Sequence, residues 1–462
     1  MKSSNRIVFF NILSTVVLQG ITFFTSPVFS RMLGTVNFGI VSVYTTWCTI
    51  ATSVFSLNVH STLNVARLNF PEKDKEKYQS SVLFLGILSY LVFGGLIVVL
   101  LNPLSDLMKM HKFMIVMLLA HSFEQFCVQM LNAKFTYEFE AGKNCILSIF
   151  TTVSSVALSL VLIYQLPPEE NYWGRILGQV IAYAFLAIIS CVFFLVKGKT
   201  LFNRDYWKFC LPLSIPIIFH SLSNLVLEQS DRVMLQHMTS ESMVGIYSLA
   251  SSFSAVVHII WTSLNNSWSP FYYEYTNQGK IDQMRSHARN YVELFTVLSA
   301  GFVLLATEVY HVFAGQDFWG GTMLIPILAL GHYFVFLYSF PVNYEFYHKK
   351  TGLVATVTLL AAIVNIILNA VFISMYGFIG AGIATCIAHG VQFVFHFISA
   401  RFIIKGDVFP FKIRFFMPYF LAFVTVVVLV FFTQDLWYLR WGIGAAIGIF
   451  ELIRILKRKS IF

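Results

Sequence analysis

The chain has 462 residues, of which 57% are hydrophobic, 17% aromatic and only 11% charged, where soluble domains carry about a quarter charged residues. With a mean hydropathy of +0.73, this excludes a cytosolic enzyme, a nucleic-acid-binding protein and a disordered regulator, and leaves an all-α polytopic membrane protein. The net charge of +9 fits that class, because the Lys and Arg lie in short loops between apolar runs, where they orient helices and meet anionic headgroups.

A spanning helix needs about 20 mostly apolar residues. Fourteen spans are predicted, numbered 1 to 14 in chain order: 7–30, 38–60, 80–101, 113–133, 144–165, 175–196, 209–230, 244–266, 290–314, 321–344, 351–374, 379–400, 415–433 and 440–456. The N-terminal stretch is too long for a signal-peptide core and lacks a small-residue cleavage site, so it reads as a retained first helix. The six Cys fall in or beside apolar runs without a CxxC pair, which gives no disulfide framework and no metal site. With the N-terminus in the cytoplasm, 25 of the 31 Lys and Arg fall on the cytoplasmic side and six on the other. This is the positive-inside pattern, with both termini cytoplasmic. No loop is long enough to form a domain, so the protein's work is expected among its helices.

The two halves resemble each other at a fixed offset. Gly39-Ile40 matches Gly245-Ile246, Ser42 matches Ser248 and Gly174 matches Gly380, all at 206, while Tyr137-Glu138-Phe139 matches Tyr344-Glu345-Phe346 at 207. Six helices separate the copies, so the repeats share one orientation and an axis along the membrane normal is expected. The expected organisation is an N-lobe over 1–200 with spans 1–6, a C-lobe over 201–405 with spans 7–12, and spans 13 and 14 over 406–462 as an appendix.

Polar side chains recur at helical spacing within several spans. Span 2 carries Thr45, Thr49, Thr52, Ser56 and His60 on one predicted face, and span 8 carries Ser251, His258, Thr262 and Asn266 at the matching positions. Span 1 adds Asn11, Thr15, Gln19, Thr22 and Ser26, and span 7 adds Ser221, Asn224, Glu228 and Asp231. One such stripe reads as interhelical hydrogen-bond glue. Two at related positions point to an aqueous cavity walled by spans 1, 2, 7 and 8. Charges at membrane depth are functional candidates. Glu124, Glu228 and Glu308 are candidate carriers of a coupling proton or sodium ion, as are the intramembrane histidines, although each histidine alone reads more simply as an interhelical donor. Arg31, Asp231 and Arg232 are expected to form an outer gate, with Asp231 bridging to Arg31 across the lobes. Glu228 and Arg232, four residues apart, are expected to pair along the helix. No hydrolase, P-loop or metalloprotease pattern occurs, so no catalytic residue and no cofactor is assigned.

The segments "SPVFSRMLGTVNFGIVSVY" and "EQSDRVMLQHMTSESMVGIYSLASSF" resemble the polysaccharide-transporter branch of the multidrug/oligosaccharidyl-lipid/polysaccharide (MOP) flippase superfamily, the Wzx-type O-antigen or capsule repeat-unit flippases. The resemblance covers the whole chain. It implies a MATE-like fold of two six-helix repeats plus two helices, in a bacterial inner membrane. It also implies a polyprenyl-diphosphate-linked oligosaccharide as cargo, moved to the outer leaflet by alternating access, with the lipid bilayer and polysaccharide polymerase machinery as partners and no nucleic acid. A cation-coupled multidrug exporter of the same fold is the alternative within transport. An O-antigen polymerase or ligase is the alternative among enzymes.

Overall fold

The computed structural model describes the main chain of residues 2–404 and 409–458, and the side chains of residues 20, 21, 23–404 and 409–457. Helices account for nearly all of it, and no strand occurs among the described residues. This is the expected solution for a chain in lipid, where each backbone N–H and C=O must find its partner within its own segment. All fourteen predicted spans are helical. Lys2–Phe55 carries spans 1 and 2, and Thr351–Ile398 carries spans 11 and 12. The others are Lys75–Val99, Lys112–Tyr137, Ala141–Gln165, Tyr172–Gly198, Arg204–Met238, Glu241–Asn277, Ile281–Phe313, Leu324–Tyr347, Ile413–Phe432 and Trp437–Arg458.

The joined spans replace predicted loops by a single glycine. Gly34 (φ 67°, ψ 179°) breaks the first helix and Gly377 (φ 59°, ψ −136°) the other. A positive φ is open to glycine without the Cβ penalty that other residues incur. Several helices also outrun their apolar cores: span 8, predicted over 244–266, continues as helix to Asn277. Hydropathy marks the buried length of a helix, and its polar extension into water leaves no such mark. Span 2 goes the other way. Its helix ends at Phe55, Leu57 and Asn58 turn left-handed, and Val59–Thr62 forms a short 3-10 turn.

The chain divides into two compact units, Met1–Leu225 and Val226–Phe462, and the boundary falls inside the span 7 helix. In the first unit, spans 5 and 6 pack most extensively, and the helix of spans 1 and 2 lies against spans 4 and 5. Asn37, just past the Gly34 bend, donates to the Pro168 carbonyl (2.7 Å) and to Asn171 Oδ1 (2.9 Å), and Asn171 donates back to the Met32 carbonyl (2.7 Å). The bend is thereby clamped to the loop between spans 5 and 6. In the second unit, spans 8, 9, 10 and 13 share an aromatic core that includes Trp268, Tyr291, Phe295, Tyr333, Phe336, Phe340 and Phe423. Span 13 therefore belongs to that unit's core, and span 14 packs on span 9.

Gly174 and Gly380, matched in the sequence, do the same work in their own units. A Cβ on Gly174 would lie 2.5 Å from the Ile163 backbone nitrogen at the end of span 5, and one on Gly380 would strike the Phe372 carbonyl at the end of span 11. Such backbone-to-backbone approach between neighbouring membrane helices requires the smallest residue. The Tyr-Glu-Phe match behaves differently. Phe139 takes the left-handed position of the turn after span 4, while the matching turn after span 10 places Lys349 there and leaves Phe346 inside the helix. The turns therefore correspond three residues away from the register that the shared letters suggest, close to one helical turn.

Gly174→Ala and Gly380→Ala are each expected to lower the Tm of the purified protein, at a cost of about 1–3 kcal/mol for overpacking. Gly95→Ala, on an open helix surface, is expected to leave Tm unchanged or slightly raised. A thermal-denaturation series on the three variants checks this, and equal Tm values for all three would contradict the close approach.

Candidate functional site: buried polar centres of the two units

Span 7 brings Asp231 into the second unit, 1% exposed. The Tyr247 hydroxyl from span 8 donates to its Oδ2, as does Thr385 Oγ1 from span 12 at 2.7 Å. Asn369 Nδ2 from span 11 donates to its Oδ1 at 2.5 Å and to Asn365 Oδ1 at 3.0 Å. Asn365 also accepts from Ser230 (3.0 Å) and donates to Thr385 (3.3 Å). A buried carboxylate with this many donors is held ionised at far lower cost than a bare one. Its surroundings are rich in neutral oxygens, and Asn369 Oδ1 is buried with no partner. One carboxylate among neutral oxygen ligands suits a proton or a monovalent hard cation, because a divalent ion would want more negative charge. No group of three or more His, Cys, Asp or Glu that could hold a metal occurs among the described residues.

These contacts change the reading of the expected gate. Both oxygens of Asp231 are engaged by partners from spans 8, 11 and 12, so the carboxylate is not presented as a bridging anion. Arg232 directs its Nε to Ser248 Oγ (3.2 Å), and the expected ion pair with Glu228 does not form. Glu228 is exposed, and so is Arg31 in the first unit. Glu308 is not a free carrier either. It accepts from the fully buried Arg440 and from the Trp441 indole (3.0 Å), and Arg440 also donates to Thr307 (2.7 Å). With Arg454 paired to Glu293 further along the same helix, span 14 is fastened to span 9 by two ion pairs. A structural role therefore accounts for Glu308.

The predicted stripes divide. On span 8, Ser251, His258 and Thr262 are half-buried and Asn266 exposed, with the Thr262 hydroxyl returned to the His258 carbonyl (2.9 Å). On span 7, Asn224 is half-buried beside the exposed His220, 3.3 Å away. Span 2 keeps Thr45 and Thr49 half-buried, but Thr52 and Ser56 turn into the first unit. Thr52 Oγ1 donates to Gln125 Oε1 (3.0 Å), and Gln125 and Tyr44 flank the two nitrogens of His121 at 3.4 and 3.2 Å. Ser56 accepts from the Asn58 backbone (3.1 Å). His60 lies in the 3-10 turn, off the predicted helical face, with its Nδ1 buried and unpartnered. The side chains of Asn11, Thr15, Gln19 and Thr22 lie outside the described residues. Glu124 is 8% exposed, with Oε2 unpartnered, at the floor of an open groove of about 380 Å³ beside Ala184, Ala187, Ile188 and Val192.

Several buried partners escape the stripe analysis. Tyr247, Asn365, Asn369 and Thr385 complete the Asp231 centre. Asn365 and Asn369 stand four residues apart in an otherwise apolar span, a readable signal. His396 Nδ1 lies 2.8 Å from Glu345 Oε2, both fully buried, with Tyr338 stacked on the imidazole. Glu345 stands in a Tyr-Glu-Phe segment that otherwise reads as an interface anchor.

The profile of the polysaccharide biosynthesis protein family matches residues 5–275. The chain belongs to that family. An uncharacterized membrane protein of Haemophilus influenzae is 23% identical over 74% of this chain and 84% of its own length. A probable low-salt glycan biosynthesis flippase of Haloferax volcanii is 22% identical over 57% of each chain. Among solved structures, the lipid II flippase MurJ in an inward closed conformation is similar over 98% of this chain and all of its own, at 16% identity and TM-score 0.74. An inward-facing multidrug resistance MATE transporter of the MOP superfamily is similar over 88% of this chain and 95% of its own, at 13% identity and TM-score 0.62. The fold is MATE-like, and this member of the polysaccharide biosynthesis family builds it from the helices described above.

Glu308→Gln is expected to lower Tm, because it leaves the Arg440 guanidinium buried beside a neutral amide. The cost is about 1–3 kcal/mol, below that of a fully buried pair because Glu308 keeps some exposure. Thermal denaturation of the purified variant checks this, and an unchanged Tm would remove the fastening role of the Glu308–Arg440 pair.

Proposed function

We propose that the protein is a flippase of the bacterial inner membrane. It carries a polyprenyl-diphosphate-linked oligosaccharide repeat unit from the cytoplasmic to the outer leaflet by alternating access, with both termini cytoplasmic, and supplies polymerase machinery there. The observation that carries this reading is the run of exposed or half-buried polar side chains at membrane depth on spans 7 and 8: Asn224, Glu228, Ser251, His258, Thr262 and Asn266. Such a face is unsuited to lipid tails. It offers the dense neutral hydrogen bonding that a sugar chain needs when it leaves water. The family membership and the similarity to the probable glycan biosynthesis flippase of Haloferax volcanii support the same reading. A prenyl tail needs no polar path, since it can stay in the bilayer.

The coupling ion is assigned to the Asp231 centre. A proton on the carboxylate, or a sodium ion held by Asp231, Thr385 and the Asn365 and Asn369 side-chain oxygens, would neutralise the Asp231 carboxylate. Either would change the hydrogen bonding that ties span 7 to spans 8, 11 and 12.

The test is flux of a fluorescent lipid-linked oligosaccharide in proteoliposomes, with a detergent-like cationic drug as competing cargo. Export of the glycolipid, stimulated by a sodium or proton gradient and uncoupled from it in Asp231→Asn, is the expected result. Drug export without glycolipid movement would favour the exporter reading. Glycolipid flux that ignores both gradients in the wild type would remove ion coupling.

A further inference from the structure

Spans 8, 10 and 12 bring three histidines together within the second unit. The rings of His258 and His332 lie 5.7 Å apart at 59°. Span 12 comes close to them at Gly331, where a Cβ would sit 3.4 Å from Cys386 Cα and 3.7 Å from His389 Cδ2. His389 turns its Nδ1 to Gln392 Oε1 (3.3 Å). His332 Nδ1 is buried with no partner. So is the indole N–H of Trp261, whose ring stands edge-on to His258 at 5.0 Å. His258 and His332 are half-buried and His389 is buried, with His332 Nδ1 and the Trp261 N–H enclosed.

We propose that His258, His332 and His389, with the Trp261 indole, form the site that binds the diphosphate of the cargo. This rests on the flippase reading for the identity of the cargo. An unpartnered ring nitrogen and an unpartnered indole N–H call for a ligand rich in hydrogen-bond acceptors, and a diphosphate presents several. Three imidazoles this close repel one another's charge, so without an anion they favour the neutral forms. An arriving diphosphate reverses this, because each negative charge at contact distance favours a protonated ring. The site is thus charged when occupied and neutral when empty. Binding takes up protons, and affinity rises as pH falls.

The groups packed around the cluster do not compete for that role. Cys386 on span 12, beside Gly331, is a thiol, and the nearby tyrosines of these spans have other partners: Tyr333 stacks on Phe423, Tyr338 on His396 and Tyr291 on Trp268. The unit's carboxylates in these helices are held elsewhere: Glu345 by His396, Glu308 by Arg440, Glu293 by Arg454, and Asp231 by its three donors. Glu228 on span 7 is exposed and forms no ion pair with the three rings.

Binding of farnesyl diphosphate to the purified full-length protein tests the proposal, because it needs neither oligosaccharide nor flux. Affinity is expected to be about tenfold tighter at pH 6 than at pH 8, as uptake of a single proton requires over part of that range. His258→Asn/His332→Asn is expected to flatten the dependence beyond the probe's own titration, measured as its partition into protein-free micelles. Trp261→Phe is expected to weaken binding at every pH, with the slope retained. Each variant is compared at matched Tm and elution volume. Should the histidine pair not fold, His389→Asn serves, with the same expected loss of slope. Inorganic pyrophosphate is expected to compete and farnesol is not, which places recognition on the diphosphate. Competition by farnesol as effective as by farnesyl diphosphate overturns the proposal. So does a pH slope unchanged in every histidine variant, or flux that depends on these histidines while farnesyl diphosphate affinity does not, which would make them proton carriers only. Wild-type protein that binds farnesyl diphosphate but moves no oligosaccharide would instead count against the flippase reading and leave the site standing.

Discussion

An ionised side chain inside a bilayer is tolerated when a partner or water replaces its lost hydration, and this requirement decides where the chain's polar residues go. Glu308 is held by Arg440 and Trp441, Glu345 by His396, and Asp231 by a tyrosine, a threonine and an asparagine. Lys134, at the inner end of span 4, is paired with Glu138. Each pair joins different helices or caps one, so meeting the charge also fixes helix positions. Glu124 departs from the pattern: it takes part in no ion pair among the described residues, and it borders an open groove. The intramembrane acids therefore differ: Glu308 and Glu345 fasten helices through ion pairs, and Glu124 does not.

The same requirement, applied to the backbone, gives the fold. With most described main-chain polar groups in helices, the remaining freedom lies in how closely helices approach and where they turn. Glycine sets both. Gly34 and Gly377 each break a helix at a single residue, and Gly174 and Gly380 let successive helices meet at backbone distance. That the last two occupy matched positions in the sequence, and equivalent contacts in their own units, ties the repeat to packing rather than to shared letters alone. The Tyr-Glu-Phe segments give the contrast: identical letters, turns offset by three residues, and a glutamate that caps a helix in one copy and is buried against a histidine in the other.

The spans are legible in the sequence because hydropathy averages over some twenty residues and tolerates local error. Their junctions are less so, since one left-handed glycine can do the work of a loop. Polar stripes carry a sharper limit. Spacing of three and four residues shows that Thr45, Thr52 and Ser56 share a helical side, yet a helix side can be divided lengthwise between open space and a neighbour. Thr45 stays half-buried while Thr52 and Ser56 are absorbed by the first unit's own polar centre. His60 leaves the side altogether because the helix stops before it. The Asp231 centre was half legible: the acid stands out, but Tyr247, Asn369 and Thr385 lie on three other spans, and no local pattern links them.

The histidines show how far a residue's meaning depends on neighbours distant in sequence. Singly, each of His258, His332 and His389 is an unremarkable interhelical donor. Brought together from three spans, they supply a property that lysine and arginine lack. A fixed cation deep in a membrane protein is a cost in every state of a transport cycle, whereas a histidine bears charge when an anion is present and sheds it when the anion leaves. A carrier must pass through its empty state once per cycle. For anionic cargo, a chain with few deep fixed cations and a cluster of imidazoles can meet the charge of the loaded state without carrying that charge through the empty one. Under the proposed diphosphate site, the sparseness of Lys and Arg within the spans would follow from the same energetics that pair Glu308 with Arg440.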